Sequence, residues 1–176
     1  MRNFQNIQED PQEKELLSSV NILISSLGSN FPRERENARK ALLKLGRPAI
    51  DYLAKLVFTR EAILRWEAVK TLAEIQDPLA APLLIGALED KLSSIRWLAA
   101  EGLICLGKEA LKPLLKALIA HPGSVFIQVG VQHVLCELNK RSLIKHVDTL
   151  LSALENNAAV DQIHLAAEKI LEILND

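Results

Sequence analysis

"IQDPLAAPLLIGALEDKLSSIRWLAAEGLICLG", Ile75 to Gly107, decides the fold. It contains two apolar stretches at helical spacing. Asp77-Pro78 offers a capping carboxylate before Pro at the first helical position. "PLAAPLLIGALE" then reads as one helix and "KLSSIRWLAAEGLICLG" as a second, ending at Gly107 where a left-handed C-cap is wanted. "LRWEAVKTL", Leu64 to Leu72, reappears 31 residues later as "IRWLAAEGL", Ile95 to Leu103. A unit that returns in frame is a repeat, and a helical hairpin this short buries its apolar faces only by stacking on its neighbours.

Working outward, five segments align on a small residue at Ala38, Ala68, Ala99, Gly130 and Ala166, at intervals of 30, 31, 31 and 36. An apolar helix precedes each, which gives about ten helices in five antiparallel pairs. Gly46 and Pro48 punctuate an earlier pair in the same way, and Pro82 and Pro113 fall within the first turns of their helices, where a missing N–H costs least. The fold class is all-α: a right-handed, gently curved α-α superhelix of five hairpins. A polar N-terminal segment is expected over 1–11, and one repeat domain over 12–176, with units at about 12–46, 47–76, 77–107, 108–140 and 141–176.

The composition agrees. Of 176 residues 49% are apolar and only 4% aromatic, so Leu, Ile and Ala carry the core. The net charge of −1 gives no general attraction to nucleic acid or acidic lipid. The N-terminus lacks an apolar leader segment, and no apolar run approaches the roughly 18 residues of a membrane span. A cytoplasmic protein, monomeric or weakly dimeric, is the expectation.

A helical wheel of ~100° per residue sorts the second helices. Leu64, Ala68, Thr71, Leu72 and Ile75 fall in one core arc, as do Ile95, Ala99, Gly102, Leu103 and Leu106. Trp66 and Trp97 lie nearly opposite, with Lys70, Glu101 and Ile104 beside them. Across the array the outward position reads Glu36, Trp66, Trp97, Gln128 and His164, and one flank reads Leu43, Ala73, Ile104, Leu135 and Leu171. Arg35, Arg65 and Arg96 recur at the edge of the core arc.

Asp90, Ile95-Arg96, Ala99-Ala100, Leu103 and Gly107 follow in the order of a HEAT-like repeat of the phycobilisome-lyase type, which the chain resembles over roughly 20–175. Repeat 2 keeps Leu64-Arg65, Ala68-Val69 and Leu72, with Thr59 in place of the loop Asp; Ile127 and Ile163 replace the Arg in repeats 4 and 5. The resemblance implies that the second helices line a concave groove. It also implies that the arginines form a structural ladder to a loop carboxylate or carbonyl near a neighbouring repeat, with Asp90 a candidate acceptor. Departure from the pattern in repeats 4 and 5 implies different packing there. Deoxyhypusine hydroxylase binds iron through His-Glu pairs, and none of the four His here precedes Glu. DNA alkylpurine glycosylases use a basic groove with aromatics, but the local basic stretch "RERENARKALLK" is diluted by Glu34 and Glu36.

No metal spacing and no catalytic constellation occurs, and no cofactor is expected. Cys105 and Cys136, 31 apart, read as buried or half-buried thiols in one slot of neighbouring helices. The sequence supports a non-catalytic scaffold or adaptor binding a protein partner on its concave face, through Trp66, Trp97, Lys70, Glu101, Ile104 and Gln128. The alternatives are a nucleic-acid-binding HEAT-like protein and a bilin-lyase-type accessory subunit. For the tryptophans, burial between adjacent helices is the competing expectation.

Overall fold

A computed structural model describes residues 11–175, with side chains from Ser18 onward. The polar segment read at 1–11 lies outside the described residues except for Pro11, as does Asp176. The described residues are helical hairpins without strands. The pairs are α1 (Pro11–Leu27) with α2 (Pro32–Leu45), α3 (Ile50–Val57) with α4 (Ala62–Ile75), and α5 (Ala81–Ala87) with α6 (Ser93–Leu106). α7 (Leu111–Ala120) with α8 (Val125–Lys140) and α9 (Asp148–Glu155) with α10 (Val160–Ile173) complete the array. None of these helices is long and apolar enough to cross a membrane.

Local chemistry sets the turns. Asp77 accepts a hydrogen bond from the Leu79 amide at 2.9 Å and opens a 3-10 turn, Pro78–Ala80, that leads into α5. Pro48 sits in the equivalent turn before α3. Gly46 and Gly107 have φ of 68° and 63° but ψ near −130°, beyond the ordinary left-handed cap. That region belongs almost wholly to glycine, and it tips the chain from one helix directly into the next 3-10 turn. After α4 the cap is Gln76, in the true left-handed conformation.

The second helices α2, α4, α6 and α8 form one row, each packed on the next, and the first helices α3, α5 and α7 form another. One continuous core runs between the rows, from Val20 through Leu42, Leu72, Leu103, Val134 and Ile170. The row is tightest between α4 and α6, where a Cβ on Gly102 would stand 2.7 Å from the Ala73 Cβ.

The last pair breaks the pattern. α9 packs against α8 and α10 against α7, so the final hairpin has exchanged layers: its first helix extends the row of second helices. The connection 141–147 includes Ser142 and His146 at positive φ, which turns the chain to this setting. Sequence expects different packing in repeats 4 and 5; in the fifth the two helices trade places.

A wheel drawn for one isolated helix also needs correcting. Ile104 is not on an open face; it is only 2% exposed. Ala73 and Leu135 of the same flank are buried as well. A helix inside a row is covered by the first-helix layer beneath and by a neighbour on each side. The arc holding Ala73 and Ile104 forms these seams, and a narrower arc around Trp97 remains open.

Candidate groove between helices α6 and α8

Three arginines recur at one position of α2, α4 and α6, and each binds back to the carbonyl six residues earlier. Nη1 of Arg35 donates to Ser29 at 2.8 Å, that of Arg65 to Thr59 at 2.9 Å, and that of Arg96 to Asp90 at 2.8 Å. These bonds cap loop carbonyls that no helix satisfies. The opposite edge of the first two reaches the next repeat. Arg65 makes a two-pronged contact with the Asp90 carboxylate, at 2.6 and 3.3 Å, in a buried pair. Arg35 meets Glu67 of α4 at 3.0 Å, because Thr59 stands where a loop carboxylate would. Arg39 joins the same Glu67 at 2.9 Å. Burial pushes the Asp90 carboxyl up, but the Arg65 guanidinium and the Leu92 amide outweigh it and hold the group below the ordinary carboxylate value.

α8 carries no such arginine, and the structure changes its register. Burial of Ile127, Val131, Val134 and Leu138 matches that of Ile95, Ala99, Gly102 and Leu106, so Val131, not Gly130, is the counterpart of Ala99. Gln128 is therefore the arginine's counterpart. Its amide donates to the Pro122 carbonyl at 2.7 Å, again six residues back. The expectation that Gln128 joins the outward row is corrected: α7 runs 10 residues against 7 for α5, and the spacing from Arg96 to Gln128 is 32 residues against 31 from Arg65 to Arg96, which turns that helix position inward, and Val129 takes the outward place. The cysteines lose their shared slot for the same reason. Cys105 is exposed, against expectation, because it lies off both the core arc and the seams; Cys136 is half-buried.

The tryptophans differ. Trp66 is half-buried against the core, with the Lys70 ammonium 4.7 Å from its ring centre. Trp97 is 60% exposed, and beside it on α8 stand Val125, Phe126 and Val129 at 66, 45 and 57%. Four large apolar side chains left open together are what a monomeric surface rarely shows. They flank a groove of about 380 Å³ floored by Leu88, Ala100 and Gly130. The Arg96 guanidinium forms one wall, 4.1 Å from the centre of the Phe126 ring. His133 closes the far end, with Nε2 3.3 Å from the half-exposed Glu101.

The fold thus gathers Trp97, Arg96 and Glu101 about one groove, leaves Trp66 and Lys70 on the neighbouring helix, and withdraws Ile104 and Gln128. The sequence reading missed Val125, Phe126 and Val129. Their signal was present: in "SVFIQVG" three large apolar residues lie off the arc defined by Ile127 and Val131. A wider depression of about 540 Å³ lies elsewhere, among Lys108, Lys112 and Lys145 near the α8–α9 connection. No group of three His, Cys, Asp or Glu side chains among the described residues is arranged to hold a metal ion.

Residues 59–132 match the family profile described as HEAT repeats. No curated protein matches the chain significantly. Among solved structures it is similar to a chain of the complex of CpcE and CpcF of phycocyanin lyase from Nostoc sp. PCC7120, with a TM-score of 0.57 and 26% identity. That likeness covers 86% of this chain and 99% of the other. Residues 59–132 thus carry HEAT repeats, and the chain is similar along most of its length to a phycocyanin lyase chain.

Proposed function

We propose that the protein is a non-catalytic adaptor that binds a protein partner in the groove between α6 and α8. The observation that carries this reading is the contiguous apolar opening made by Trp97, Val125, Phe126 and Val129. A fully covered Trp removes ~150–250 Å² from water. At ~25 cal/mol/Å² that is an upper bound of ~4–6 kcal/mol, from which association costs are subtracted. The similar phycocyanin lyase chain comes from a complex of two different proteins, which supports a protein as the partner.

Trp97→Ala is expected to weaken partner binding by about 30-fold, as for a central aromatic anchor, with little change in thermal stability. Trp66→Ala is expected to lower stability instead, since that ring packs on the core. The test is affinity capture from native lysate, followed by titration of the purified partner against both variants. Unchanged affinity for Trp97→Ala and for Val129→Lys would refute the groove.

A second reading, an accessory subunit of a bilin lyase, is supported by the same structural likeness. A change in bilin absorbance on mixing with the protein, absent in Trp97→Ala, would favour it. Nucleic acid is the less favoured partner. The basic stretch on α2 is engaged within the fold: Arg35 and Arg39 pair with Glu67, and Lys40 with Glu36 at 2.5 Å. Retention on DNA at low salt would argue the other way.

A further inference from the structure

Two of the three ladder arginines end on a carboxylate of the next repeat, and the third does not. The place that Asp90 holds for Arg65 is held one repeat on by Pro122, whose carbonyl receives Gln128 as the Asp90 carbonyl receives Arg96. The place that Glu67 holds for Arg35 falls on Gly130, whose backbone floors the groove. Neither counterpart is acidic. Among the described residues Arg96 donates through Nη1 alone, to the carbonyls of Asp90 and Lys91. Its Nε and Nη2 edge has no acceptor, and the guanidinium lies over the Phe126 ring. His133, the other basic group of the groove, already faces Glu101.

We infer, resting on the groove as a partner site, that it takes a segment of a partner chain in which an Asp or Glu carboxylate stands beside a bulky apolar side chain. The carboxylate completes Arg96 as Asp90 completes Arg65. The apolar side chain lies among Trp97, Phe126 and Val129. The unpaired Nε–Nη2 edge is a planar fork that matches two carboxylate oxygens. A tetrahedral phosphate would call for further donors, and no second unpaired cation lines the groove.

The test is a nuclear magnetic resonance titration of the full chain with acetyl-Asp-Phe-amide and, as its neutral isostere, acetyl-Asn-Phe-amide. The Asp peptide is expected to shift the Arg96 Nε–H and Trp97 indole N–H signals and to bind at least about tenfold more tightly than the Asn peptide. In Arg96→Gln the two peptides should bind alike; Gln128 on α8 shows that glutamine can make the same return bond, so this variant keeps its fold. Pro122→Asp restores a carboxylate where Asp90 serves Arg65, and is expected to weaken the Asp peptide at least about tenfold. Equal binding of the two peptides to the wild type would overturn the carboxylate and leave the groove standing. No shift of either signal by either peptide overturns the inference, while capture with Trp97→Ala judges the groove by itself.

Discussion

Asp90→Ala is expected to destabilise the protein by about 3–5 kcal/mol, the usual cost of leaving one partner of a buried ion pair alone. Arg65 and Asp90 are each 7% exposed in their side chains. Removing the carboxylate strands the Arg65 charge beside two carbonyls that already accept from Nη1, and it also removes the cap on the Leu92 amide. For a chain of this length each kcal/mol moves the melting temperature by about 2–4 °C. A fall of roughly 6–20 °C follows, read by thermal or urea unfolding. The double variant Arg65→Met/Asp90→Leu should recover much of the loss, because an apolar pair is not penalised by burial. If Asp90→Ala melts with the wild type, the ladder has no structural role.

The same pair sets an acid limb. The Asp90 carboxyl is held below its ordinary value in the fold. The unfolded chain therefore binds the proton more readily, and stability rises with pH across the window between the two values. The contribution is fully present above the unfolded value of about 3.9 and disappears as pH falls through the lower, folded one. Asp90→Asn should flatten the stability–pH curve in that window alone.

Gly102→Val is expected to cost about 3 kcal/mol, although glycine in a helix is ordinarily a weakness worth about 1 kcal/mol against Ala. The reason is the seam between α4 and α6. A Cβ at Gly102 would stand 2.7 Å from the Ala73 Cβ, 3.1 Å from its Cα and 3.0 Å from Leu84. Two of these contacts are to Ala73 of the neighbouring helix, one to its backbone Cα and one to a Cβ fixed on that backbone, so α4 and α6 must part. Gly130→Ala is the control. There the Cβ would meet the Leu88 side chain, nearest at 2.8 Å, and no backbone of a neighbouring helix. Urea unfolding should place the Ala variant at Gly130 near the wild type and Gly102→Val far below it. Equal stabilities for the two would mean that the rows are loosely packed.

The recurrence of Ile-Arg-Trp and Leu-Arg-Trp, with Ala and Leu following at fixed offsets, determined by itself that helical hairpins stack in this chain. Periodicity of 3.6 is a local property, and so are the caps at Asp77, Gly46 and Gly107. The recurrence of Arg35, Arg65 and Arg96 was legible for the same reason, whereas their reach to a loop carboxylate such as Asp90 was implied by the resemblance to HEAT-like repeats.

The groove was decided by contacts that no single helix encodes. A wheel for α6 places Ile104 opposite the core, yet α8 covers it. A repeat spacing of 32 residues in place of 31, with a longer α7, turns Gln128 inward and Val129 out, beside Trp97. The exchange of layers by α9 and α10 depends on which apolar face fits which neighbour. Burial in a stacked array is settled between helices distant in sequence. Local spacing therefore shows that a face is apolar, and only the assembled rows show which apolar side chains are left open.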